Sequence, residues 1–139
     1  GFREGLAEHG LQLDDRYVRQ GAYTFESGVE AAQSLLSMAE PPTAIFAGND
    51  EMAIGVMKAA RDAGLDVPRD LSIVGFDDLP MASRVWPNLT TVRPPIRDMG
   101  RMAAEKLTAR SRGLDPATLV QPEVDPSLVV RDSTSEPGR

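Results

Sequence analysis

Thr43-Ala44-Ile45-Phe46-Ala47-Gly48-Asn49-Asp50 and Leu71-Ser72-Ile73-Val74-Gly75-Phe76-Asp77-Asp78 share one pattern: a short apolar run that stops, at Gly48 and at Phe76, and is followed at once by two polar residues. Runs of this length ending in turn chemistry predict two buried strands. Between them Glu51 to Ala63 has helical periodicity and closes at Gly64, which makes one βαβ unit. Parallel strands bring their carboxyl ends to one edge of the sheet, where open α/β sheets bind small ligands. Asn49 and Asp77 then project side by side at the mouth of a crevice.

Outward from this unit the elements keep alternating. Phe2 to His9 reads as a short helix stopped by Gly10, followed by a strand around Tyr17 to Arg19 that ends at Gly21. Ser27 and Glu30 form an S-x-x-E capping box for a helix through Met38, with Val29, Ala32, Leu35 and Leu36 on its apolar face. Pro41-Pro42 stops it. Downstream, Pro80 to Val85 suggests a short helix broken by Pro87, and Leu89 to Val92 a short strand. Pro94-Pro95 forces an extended crossing into a long helix, Ile96 to Ser111, closed by Gly113. Strands are expected at Leu119 to Gln121 and Ser127 to Arg131, and the polar tail Asp132 to Arg139 is expected to be disordered. The alternation predicts a doubly wound parallel α/β sheet with right-handed crossovers, in one domain over residues 1–131.

Composition narrows the function. A formal charge of −6 argues against a nucleic-acid surface within these residues, because phosphate contact needs clustered Lys and Arg. Arg97, Arg101, Lys106, Arg110 and Arg112 share the long helix with interspersed acids and read as a solvated face. The absence of cysteine removes disulfides, thiolate catalysis and cysteine-based zinc sites together. No apolar stretch reaches the roughly 20 residues a bilayer span needs, so no membrane partner is expected. Nothing at the N-terminus resembles a signal peptide, and a chain that opens in a helix at Gly1-Phe2 is expected to continue upstream.

The chemistry points to binding. Asp77 and Asp78 are sequence neighbours whose side chains diverge, so they do not form a catalytic pair; Asp78 is placed to cap the short helix that follows. There is no nucleophile elbow, no H-E-x-x-H and no P-loop, and the single histidine, His9, sits at a helix C-terminus. No enzyme, metal or cofactor is expected. Asn49 fits a helix cap and a ligand-binding amide equally. Tyr23, after the first expected strand, is either a core aromatic or a stacking platform at the same edge. As a ligand set, a carboxylate, an amide and a ring suit a neutral, hydroxyl-rich molecule.

Over Pro41 to Pro95 the text PTAIFAGNDEMAIGVMKAARDAGLDVPRDLSIVGFDDLPMASRVWPNLTTVRPP resembles the effector-binding domain of LacI/GalR (lac-repressor-like) bacterial transcription regulators, with weaker similarity across nearly the whole chain. The resemblance implies a type I periplasmic-binding-protein-like fold, of which this chain supplies mainly the C-terminal subdomain with a crossover helix at 96–111. It implies a cytoplasmic, sugar-sensing part of a repressor, with Tyr23, Asn49 and Asp77 as ligand-binding residues. The effector would be a sugar or related polyol, with a nucleoside as the other class. DNA would be bound only through a helix-turn-helix headpiece upstream, along with the N-terminal subdomain and a ligand-clamping arginine. It also implies a homodimer through Met52 and Val56 on the central helix and Met81, Val85 and Trp86 beyond the second strand, although core packing explains the same residues. The alternative on this fold is the sugar-binding receptor of an ABC transporter. The stripe Ile96, Met99, Gly100, Ala103 and Leu107 packs on the other subdomain in the family, so an isolated chain is expected to associate.

Overall fold

A computed structural model describes residues 1–113 and 124–136. The strand expected at Leu119 to Gln121 lies outside the described residues. Strand β1 (Ala44–Phe46), helix α3 (Asp50–Asp62) and strand β2 (Ser72–Phe76) form the expected βαβ unit, with α1 (Phe2–Glu8) and α2 (Phe25–Leu36) preceding it. A 3-10 turn, Pro80–Ser83, leads to β3 (Thr90–Arg93), then α4 (Ile96–Ser111) and β4 (Ser127–Val129). The sheet order is β1-β2-β3-β4. Phe46 pairs with Val74 and Phe76 with Val92 in parallel, so the carboxyl ends of the first three strands share one edge. Strand β4 runs antiparallel to β3 through Val92 and Leu128, which makes the sheet mixed and parallel-dominated.

The core forms where α2 and α3 press together and α3 covers β2. Ile73, Leu71, Leu89, Ala53, Ala60 and Ala32 are fully buried there. The two helices meet nearly backbone to backbone. A Cβ on Gly28 would lie 2.3 Å from the Met52 carbonyl oxygen, and one on Gly55 would lie 2.2 Å from that of Phe25. Only glycine fits at either crossing point, because any side chain would overlap backbone that cannot swing aside.

Several expectations change. Tyr17 to Arg19 forms no strand: Asp14 accepts a hydrogen bond from Arg16 N at 2.9 Å and winds Asp15–Tyr17 into a 3-10 turn. Helix α2 starts at Phe25 with Thr24 as its cap; Ser27 is the third helical residue of that box, and Glu30 plays no part in it. Threonine wins because its extended backbone precedes the first helical turn. The described part of the tail, Asp132 to Glu136, packs back on the sheet. Ser133 is fully buried, donates to Ile73 O at 2.6 Å, accepts from Thr90 N at 2.8 Å, and its carbonyl accepts from Ile73 N at 2.8 Å. A polar residue there satisfies strand groups that would otherwise be buried without partners.

Met52 and Val56 are also corrected. They are 8% and 3% exposed and packed into the chain's own core, which accounts for their apolar character without a second copy. Met81 and Trp86, by contrast, are 49% and 89% exposed. Helix α4 matches its expected limits and buries only Ala109, leaving Ile96, Met99 and Leu107 in solvent.

Gly28→Ala and Gly55→Ala should each destabilise the chain by about 1–3 kcal/mol, the usual cost of forced overpacking, and lower the melting temperature by several degrees. Thermal unfolding followed by circular dichroism checks this; an unchanged midpoint would mean the helices have room to part.

Candidate functional site

Three non-glycine residues among those described have positive φ: Tyr23 at 61°, Asp77 at 111° and Asp78 at 53°. All belong to loops at the carboxyl edge of the sheet or pressed against it. Such backbone costs of order 1–3 kcal/mol per residue and persists only where the surroundings hold it.

Asn49 holds the first of these loops. Its Oδ1 accepts from Met52 N at 2.9 Å, which caps α3, and its Nδ2 donates to Tyr23 O at 3.0 Å. The cap and binding readings of Asn49 are therefore compatible: one N–H and one lone pair are spent on the fold, and one of each remains. The Tyr23 ring lies over Gly48, where an added Cβ would be 3.7 Å from a ring carbon. The ring is 69% exposed, so it is not a core aromatic. The structure thus puts Tyr23 and Asn49 in contact.

Asp77 sits beyond β2, on the neighbouring strand. Its N–H donates to Val92 O at 2.9 Å, and its carboxylate is exposed and takes no hydrogen bond from the described residues. Asp78 behaves differently from expectation. Instead of capping the next turn it turns inward and is clasped by Arg131 at 2.6 Å and Arg93 at 2.5 Å, with its own side chain 9% exposed. Burial is the largest influence on this carboxyl and pushes it up, but the hydrogen bonds and charges of the two arginines together pull it below its ordinary value. Arg131 also donates to Leu89 O at 2.7 Å, so the clasp ties β4's exit to β3's entry.

The turn Pro80–Ser83 has no side-chain cap; what holds its approach is Asp50, which sequence reasoning missed. Asp50 is fully buried; its Oδ2 accepts from Leu79 N at 2.7 Å and its Oδ1 from Thr91 Oγ1 at 2.5 Å. Burial raises its pKa, opposed by these two hydrogen bonds and aided by the charges of Asp77 and Asp78. A carboxylate in the first turn of α3 reads as ordinary helix-dipole chemistry, and nothing local marks it as buried.

The edge is open. Two apolar grooves of about 480 Å³ lie elsewhere, one lined by Phe25, Ile54, Met57, Leu65 and Trp86, the other beside β1. Among the described residues, no group of three or more His, Asp or Glu side chains is placed to hold a metal. No helix among them is long and apolar enough to cross a membrane.

The family model for periplasmic binding protein-like domains matches residues 1–134. The catabolite control protein A of Priestia megaterium is 48% identical over 108 residues, covering 78% of this chain and 32% of that protein. A sugar-binding transcriptional regulator of the LacI family from Escherichia coli, solved in complex with phosphate, superposes with a TM-score of 0.86 at 34% identity, over 98% of this chain and 48% of that one. The CelR regulator in complex with cellobiose superposes at 0.84 and 34% identity, over 95% and 40%. The chain spans about a third to two fifths of the length of the curated relatives it matches.

The Asp78 clasp predicts a pH signature. Because its folded pKa is depressed, its stabilisation is present above the unfolded value of about 3.9 and is lost as pH falls through the lower, folded value. Asp50, with a raised folded pKa, works in the opposite sense and gains stability from protonation as pH falls toward about 3.9. Asp78→Asn should cost about 1.5–3 kcal/mol at pH 7, mostly through Arg131, since the more exposed Arg93 adds little. Denaturant titrations from pH 7 to pH 3 should show the gap between parent and variant closing below about pH 4. A gap independent of pH would mean that Asp78 contributes by packing alone.

Proposed function

The chain belongs to the periplasmic binding protein-like domain family, in the form found in LacI-family regulators, and from that membership we propose that it is the effector-sensing part of a bacterial transcriptional repressor. The effector is a neutral sugar or polyol. The observation that carries this reading is Asp77: a carboxylate that takes no hydrogen bond from the described residues, held out at the carboxyl edge by a backbone at φ 111°. An ionised carboxylate accepts two hydroxyl protons, and the spare donor and acceptor of Asn49 suit a third hydroxyl. The exposed Tyr23 ring offers the apolar platform that a sugar face stacks on. Binding of cellobiose by the CelR regulator supports the ligand class.

Catalysis has no place in this reading, nor has a cofactor, and the site of action is the cytoplasm. DNA is contacted through a headpiece on another part of the polypeptide, and effector binding shifts the balance between DNA-bound and DNA-free states. A homodimer forms over the groove where exposed Trp86 and neighbouring Val85 flank Ile54 and Met57, an aromatic anchor with an apolar surround.

Isothermal titration of the chain against neutral sugars, with cellobiose in the panel, tests the reading. Asp77→Asn, which keeps a side chain that tolerates positive φ, should weaken the binding sugar at least about tenfold, the loss of one or two charge-assisted hydrogen bonds, without lowering the melting temperature. A sugar bound equally well by both proteins would remove Asp77 from the site, and no binding by any neutral sugar would contradict the ligand class.

A further inference from the structure

We propose that Asp50 is the positioning residue of the sugar site: its buried carboxylate sets where the Asp77 loop stands relative to Asn49. The inference rests on the sugar-site reading for its meaning but not for its test.

The geometry is that of a three-way tie. Asp50 follows Asn49 directly and is the first residue of α3, so its backbone moves with the Asn49 cap. One oxygen reaches forward to Leu79 N, two residues past Asp77. The other reaches sideways to the hydroxyl of Thr91, which is fully buried in β3. Thr91 is paired with Gly75 in the sheet and precedes Val92, whose carbonyl accepts from Asp77 N. Asp77 is therefore bracketed: Val92 O holds its own N–H, and Asp50 holds the amide beyond it.

The sheet makes room for this arrangement. A Cβ on Gly75 would stand 2.3 Å from Asp50 Oδ1, so the strand beneath the carboxylate has to be glycine. No arginine or lysine of the described residues bonds to Asp50, which leaves its contacts as hydrogen bonds to neutral groups and the start of α3. The function of the group is then to accept two hydrogen bonds at a fixed separation. An asparagine can do nearly the same, accepting from Leu79 N through its oxygen and donating to Thr91 Oγ1 through its nitrogen. Alanine can do neither.

Amide hydrogen exchange on the full chain, read by NMR at the Asp77 and Leu79 amides against Ile73 in the core strand as reference, distinguishes positioning from general stability. Asp50→Ala should speed exchange at Leu79 and Asp77 at least about tenfold more than at Ile73, and Asp50→Asn should return the ratio to near the parent value. An equal acceleration at all three amides in Asp50→Ala would make Asp50 a structural residue only. An asparagine variant as loose as the alanine one would assign the effect to charge, and either result overturns the proposal. Should Asp50→Ala fail to fold, Thr91→Val removes one arm of the tie. It should raise the Leu79-to-Ile73 exchange ratio, while Thr91→Ser should leave it unchanged; a Thr91→Val ratio at the parent value also overturns the proposal. None of these readings needs a sugar, so a chain that binds none would defeat the sugar-site reading and leave this one to be judged alone.

Discussion

A carboxylate buried from solvent has to be given hydrogen bonds by the protein, and the arrangement at the sheet's carboxyl edge follows from how Asp50 is given its two. Leu79 N–H and Thr91 Oγ1–H come from two different segments, so satisfying Asp50 brings the turn after β2 and the strand β3 to the N-terminus of α3. The cost of burying the group is visible in its raised pKa. A cheaper residue would leave a turn with free choices where this one has few.

The same edge carries the chain's backbone strain. Tyr23, Asp77 and Asp78 all stand at positive φ, and each is held by something distinct: the Asn49 amide, the Val92 carbonyl, and the pair of arginines on Asp78. Aspartate tolerates this region better than most residues, which explains two of the three. Tyrosine does not, and its ring is left exposed over Gly48 at the end of β1. A strained, exposed aromatic at the same sheet edge as a carboxylate that takes no hydrogen bond from the described residues is the pattern of a binding surface rather than of a packed core.

Legibility in the sequence divides along physical lines. The βαβ unit, α4 and the glycine stops could be read because short apolar runs, helical periodicity and turn residues are local signals. The ends of α2 were harder, since Thr24 and Ser27 are both good caps and only the backbone decides between them. The dimer stripe was misread at Met52 and Val56 because periodicity says that a helix face is apolar, not which element covers it; here α2 does, through Gly28 and Gly55. Ser133 in a polar tail and Asp50 in a helix's first turn look solvated from their neighbours in sequence. Each is held by contacts about thirty to sixty residues away, which no local pattern carries.

What remains uncovered is as informative as the core. Trp86 and the outer face of α4 expose apolar surface that a subdomain or a second copy would bury, in keeping with a chain that spans a minority of its relatives' length. A crystal structure of the chain with a bound neutral sugar tests whether Asp77 holds a sugar at the carboxyl edge, as proposed. Ring hydroxyls should lie within about 2.5–3.0 Å of the Asp77 carboxylate, with the sugar face against Tyr23. A sugar seated in the Trp86 groove or beside β1, with Asp77 still facing solvent, would contradict it.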